Sequence, residues 1–139
     1  LAVGMIFLDN NVVRKYAGRD PDEAVVEYLS THYDDTWAIS AVVLYEFLSY
    51  YDSQSRQQQR RQQLTDAVDD VLALDEASAA EAASMESSLS AAGVSLDAMD
   101  LLIAATARHH GATLATTDRN DFDKQPIHEL LDVDIIEAD

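Results

Sequence analysis

The sequence predicts an α/β fold, with a parallel sheet of about five short strands covered on both faces by helices. Two observations carry this. Apolar runs of about four residues recur at 5–8, 37–40, 71–74, 113–116 and 133–136, and longer helical stretches separate them. Strands this short that alternate with helices indicate a parallel sheet covered on both faces.

Each element has its own signals. The run at 5–8 stops abruptly at Asp9-Asn10-Asn11, a polar turn after a buried strand, and residues 12–16 form a short helix. Asp20 then reads as an N-cap with Pro21 in the first helical position, and Ala24, Val25, Tyr28 and Leu29 keep helical spacing to His32. A polar Asp34-Asp35-Thr36 turn precedes the strand at 37–40. Ser40 caps a helix over 41–51, AVVLYEFLSYY, whose one charged residue is Glu46. The stretch SQSRQQQRRQQLTDAVDD reads as a solvated helix leading to the third strand. Asp75 caps an Ala-rich helix that Gly93 ends, and Asp97 opens a helix that Gly111 ends. After the strand at 113–116, residues 118–123 form a loop before the last strand.

At 139 residues the chain fits one domain, taken as 5–139, with residues 1–4 read as a cloning remnant or an upstream start. There is no cysteine, so a metal would be held by oxygen or imidazole. No run approaches the roughly 18 apolar residues of a membrane span, and a secretory n-region and h-region are lacking, so a soluble, cytoplasmic protein is expected. The net charge is −17, with 18 Asp, 8 Glu, seven Arg and only two Lys. Acid dispersed along the chain fits a surface adapted to high salt, a halophilic source, better than an acidic tail for one basic partner.

The fold places several acids together. In a parallel sheet, residues that follow a strand, and the first turn of a helix that precedes one, lie at the C-terminal edge. Asp9, Asp118 and Asp100 fall there, and Glu46 lies roughly 7 Å along its helix from the same edge. Ligands of open α/β sheets bind at this edge. Four carboxylates in one crevice repel unless a positive charge sits among them, and a hard divalent cation, Mg²⁺ or Mn²⁺, suits an all-oxygen donor set. That chemistry leads to phosphodiester hydrolysis.

Each acid also has a structural reading. Asp9 can cap a helix, and Asp97 and Asp100 match an N-cap and N3 pair that favours the helix dipole. Asp118 and Asp121 can be turn formers. Glu46 is the sharper signal, since a charge amid Val42, Val43, Leu44, Phe47 and Leu48 either lies at a rim or is costly to bury. His109 and His110 complement a helix C-terminus, and no histidine sits at ligand spacing. Arg56, Arg60 and Arg61 read as a solvated face, or alternatively as a surface that guides RNA or meets a partner.

Taken in order, IFLDNNVV, ISAVVLYEF and DLLIAATARHHGATLATTDRNDF resemble a PIN domain of the VapC toxin type over nearly the whole chain. The resemblance implies a parallel sheet in the order 3-2-1-4-5 and a Mg²⁺- or Mn²⁺-dependent ribonuclease that leaves 5′-phosphate and 3′-hydroxyl ends. It implies catalytic and metal-binding roles for Asp9, Glu46, Asp100 and Asp118, with Asp121 as a fifth ligand or one reached through water. Asn11 matches a polar residue after the first acid and Thr116 the threonine that ends strand four, both supporting the site. Asn10 stands where a small hydroxyl residue is usual. A homodimer, neutralised by a small antitoxin, is also implied, with RNA as substrate. The competing readings are a PIN nuclease of RNA processing or DNA repair, and a non-enzymatic acidic-crevice module like a receiver domain. A receiver needs a lysine after strand five, and none follows Lys124.

Overall fold

The first strand explains the architecture. Ile6, Phe7 and Leu8 are consecutive and all buried, which places that strand inside the sheet with packing on both faces. The computed structural model describes residues 4–138. Its elements are β1 (Met5–Leu8), α1 (Asn10–Ala17), α2 (Glu23–Thr31), β2 (Thr36–Ser40), α3 (Ala41–Ser49), α4 (Gln54–Ala67), β3 (Asp70–Leu72), α5 (Glu76–Ala91), α6 (Ala98–His109), β4 (Thr113–Thr116), α7 (Arg119–Phe122), α8 (Gln125–His128) and β5 (Val133–Ile135). The five strands form one parallel sheet in the order β3-β2-β1-β4-β5, as the resemblance implies.

This order matters for the site. The chain builds outward from β1 through β2 to β3, then crosses back and builds outward from β4 to β5. The switch point therefore lies between β1 and β4, where the diverging connections leave a crevice above the C-terminal ends of the strands. Register completes the arrangement. Leu8 pairs with Ala115, and the Asp9 amide donates to the Ala115 carbonyl at 3.0 Å, so Asp9 stands level with Thr116.

Helices hold the sheet from both sides. Ala82, Met85 and Leu89 of α5 recur at i, i+3 and i+7 and are buried, as are Ile103, Ala104, Ala105 and Ala107 of α6. The small alanines let the two helices approach closely, and each large side chain withdrawn from water contributes roughly 1.5–3 kcal/mol. Gly93 and Gly111 follow these helices with φ of 74° and 65°, a conformation that a side chain would strain.

The cap assignments Ser40, Asp75 and Asp97 hold, each carboxylate or hydroxyl accepting an amide three residues on. Others change. The cap of α2 is Asp22 rather than Asp20, because the Asp22 carboxylate accepts the amides of Ala24 and Val25, leaving Pro21 outside the helix. Helix α3 stops at Ser49, short of Tyr51. Strand β3 spans Asp70–Leu72, with Leu74 beyond it and 39% exposed, since pairing with β2 ends at Ser40 and Leu72. The loop expected at 118–123 contains the single turn α7. Of the residues set aside at the N-terminus, 1–3 lie outside the described residues, while Gly4 accepts from the Thr36 amide at 2.9 Å. Among the described residues, no helix is long and apolar enough to cross a membrane.

Candidate active site

Asp9 is only 3% exposed, and the polar atoms around it account for its burial. Its Oδ2 accepts from Thr116 Oγ1 at 2.8 Å and from Asn11 Nδ2 at 3.2 Å, while Oδ1 accepts from the Asn10 amide at 2.8 Å. Asn11 extends the network across the switch point. Its Nδ2 donates to Thr116 Oγ1, and its Oδ1 accepts from the Thr117 amide at 2.9 Å. Thr116 Oγ1 in turn accepts from the Asp118 amide at 3.1 Å. Even so, burial raises the Asp9 pKa above its ordinary value, against these hydrogen bonds and with help from the nearby Asp118 charge.

Asp100, Asp118 and Asp121 each present a carboxylate oxygen, and the three oxygens lie within 4.8 Å of one another. Three local features bring them there. Asp97 caps α6 and accepts from the Asp100 amide at 2.9 Å, which fixes Asp100 in the first turn. Asp118 follows β4 and caps α7 through the Asp121 amide at 3.0 Å. Asp121 then falls in the first turn of α7.

Asp100 titrates at about 7, pushed up first by burial and then by Asp9, Asp97, Asp118 and Asp121. Asp121 is raised chiefly by the Asp118 charge, with Lys124 opposing. Every neighbour that moves Asp100 is a carboxylate. A divalent cation fits this set, because it supplies the missing counter-charge and the donors are the hard oxygens that Mg²⁺ and Mn²⁺ take.

Glu46 lies outside that trio, as does Asp9. It occupies the helical row of buried Val42 at i−4, at the margin of the α3 apolar face, and is itself half-buried. Burial raises its pKa, Asp9 and Asp97 raise it further, and Arg14 lowers it. The candidates therefore form three tiers: the oxygen cluster, the buried Asp9 with Asn11 and Thr116, and Glu46, which is linked to Asp9 through charge.

Two participants were not foreseen. Arg14 donates through Nη2 to the Glu46 and Phe47 carbonyls at 2.9 and 3.0 Å, fastening α1 to α3 beside the site. Its spacing of i+3 from Asn11 is the available sequence signal. Asp97, read mainly as a cap, also adds its charge to Asp100, Glu46 and Asp121. At Asn10, where a small hydroxyl residue is usual, Oδ1 is buried with no protein hydrogen-bond partner.

Comparisons with known proteins agree with this fold. No curated protein matches the sequence. Among solved structures, VapBC2 from Rickettsia felis bound to a promoter DNA fragment is 21% identical, covering 94% of this chain and 98% of that chain with a TM-score of 0.77. FitAcB from Neisseria gonorrhoeae is 27% identical, covering 93% and 96%, with a TM-score of 0.73. VapBC-5 from Mycobacterium tuberculosis, a member of the VapBC family of toxin-antitoxin systems, is 21% identical over 96% and 98%, with a TM-score of 0.66. The PIN domain family model matches residues 6–127, and with the five-stranded order and the acidic switch point in place, this chain belongs to the PIN-domain family.

Proposed function

We propose that this protein is a metal-dependent endoribonuclease, the toxin component of a type II toxin-antitoxin pair. The observation that carries the reading is the convergence of Asp100, Asp118 and Asp121 at the switch point, beside a buried Asp9. The similarity to toxin-antitoxin complexes supports the toxin assignment and a small antitoxin partner. The same reading makes the chain a cytoplasmic homodimer, and its dispersed acid suits a salt-rich cell.

Asp100, Asp118 and Asp121 would hold Mg²⁺ or Mn²⁺, with Asp9 and Glu46 as further acids of the same centre. When bound, such a cation neutralises charge on phosphate oxygens and makes water a better nucleophile. The chain supplies the rest. Thr116 and Asn11 fix one oxygen of Asp9 and the Asn10 amide fixes the other, so the carboxylate keeps one orientation. Glu46, anchored through its own carbonyl by Arg14, orients the water and accepts its proton. Water adds to phosphorus as the P–O3′ bond breaks and O3′ takes a proton, leaving 5′-phosphate and 3′-hydroxyl ends.

The test is cleavage of RNA by the purified chain in high potassium chloride with added Mn²⁺. Cleavage is expected in wild type and lost in Asp9→Asn and Asp100→Asn. Full activity in both variants would sink the assignment. Co-purification with a small protein that suppresses cleavage separates the toxin from a PIN nuclease of RNA processing or DNA repair.

A further inference from the structure

In a chain with 26 acids and nine Lys and Arg, each arginine has carboxylates to spare as partners. Arg108 takes Glu81, and Arg119 takes Asp123 and Glu137. Arg14, Arg19, Arg56, Arg60 and Arg61 take none within salt-bridge distance among the described residues. Arg14, Arg19 and Arg60 instead line one groove of about 440 Å³ with Phe47, Tyr50 and Tyr51.

Aromatic rings hold Arg14, Arg56 and Arg60. The Arg14 guanidinium lies 4.6 Å from the Tyr50 ring centre, and those of Arg60 and Arg56 lie 5.3 and 5.9 Å from that of Tyr51. The two tyrosines meet edge to face at 5.2 Å, and Tyr50 is 73% exposed. Arg60 keeps its Nε buried with no protein acceptor. The groove runs beside α3, the helix that carries Glu46, since Arg14 is hydrogen-bonded to the backbone carbonyl of Glu46.

We infer that this arginine and tyrosine groove binds the single-stranded RNA flanking the scissile phosphate, an assignment that rests on the ribonuclease reading above. A surface of net charge −17 repels a polyanion everywhere except where cations gather. Guanidinium groups match phosphate oxygens in pairs, and an exposed tyrosine face such as that of Tyr50 stacks on any base, the combination that grips single strands without reading sequence. An apolar recess of about 310 Å³, lined partly by Trp37, Leu64 and Val68, adjoins the groove and suits a peptide side chain. RNA is favoured because charge and a stacking face occur together beside α3, the helix that carries Glu46.

Arg19 and Arg56 are exposed, so replacing both spares the fold, which circular dichroism checks. Anisotropy of a labelled single-stranded RNA uses the full chain carrying Asp100→Asn to suppress cleavage. Adding Arg19→Ala and Arg56→Ala weakens binding about tenfold and makes the slope of log affinity against log salt shallower by about 1.4. In the active chain the same pair raises KM about tenfold and leaves kcat within about twofold. Arg61→Ala, on the same helix but facing a separate pocket, serves as the charge control and changes neither. Unchanged RNA affinity and KM in the double variant, with the parent still cleaving, overturns the groove assignment and leaves the ribonuclease reading intact. Failure of the wild type to bind or cut any RNA overturns both. If the double substitution weakens binding of a polyglutamate probe but not of RNA, the groove belongs to an acidic peptide and the RNA assignment is overturned.

Discussion

Thr116 Oγ1 donates to Asp9 Oδ2 across 2.8 Å, joining the ends of β4 and β1 over a sequence separation of 107 residues. The hydroxyl is fully buried and also receives the Asn11 side chain and the Asp118 amide, so one oxygen organises both sides of the switch point.

Thr116→Val keeps the shape and removes that hydroxyl. A buried carboxylate then loses a donor, and two donors lose their acceptor. The expected cost is about 1–3 kcal/mol in urea denaturation, with weaker Mn²⁺ binding by calorimetry.

Under the proposed function, Asp100 trades stability for activity. Without metal its charge faces Asp9, Asp97, Asp118 and Asp121, so Asp100→Asn relieves repulsion and raises the thermal midpoint at neutral pH. RNA cleavage falls by about 100-fold or more, the scale on which a lost electrostatic participant is felt. A variant with a lower midpoint and unimpaired cleavage would contradict both expectations.

The pH dependence has a definite sign. Asp100 binds its proton with a pKa of about 7 in the folded chain against 3.8 ordinarily, so between these values the folded state holds more protons than the unfolded state. The contribution of Asp100 to stability therefore falls as pH rises from about 4 to about 7, and Asp9 and Glu46, also raised, act in the same direction. Under the proposed function, divalent cation competes with these protons. Mn²⁺ stabilises the chain more at pH 8 than at pH 5, and binding releases protons, read by calorimetry in buffers of different ionisation enthalpy.

Arg14→Ala removes the charge that opposes the rise at Glu46 and the two bonds that anchor the end of α3. The Glu46 pKa moves further up, so the acid limb of the kcat/KM profile shifts to higher pH. Arg14→Lys keeps the charge but not the fork, and its limb lies between the two.

The residues legible in the sequence are those whose local chemistry has one interpretation. Ser40, Asp75 and Asp97 stand before helical runs with no rival nearby, and Glu46 is a charge in an apolar helix. Asp22 was hidden because two acids flank Pro21, and nothing local says which of them faces the free amides. The four-residue α7 is too short for periodicity, so the pairing of Asp118 with the Asp121 amide could be read only as loop chemistry. Arg14 was invisible for another reason: its partners are backbone carbonyls on α3, which carry no residue identity.

The separation between Asp9 and Thr116 also bears on when the candidate site is assembled. Closing a loop of that length costs about 4 kcal/mol of chain entropy beyond a constant, returned only once β1 and β4 pair. A growing polypeptide whose β4 is still inside the ribosome has Asp9 but neither Thr116 to hold it nor Asp118 beside it. Under the proposed function, cutting ability switches on as a single event once β4 has left the ribosome, which gives an antitoxin translated nearby time to be present first.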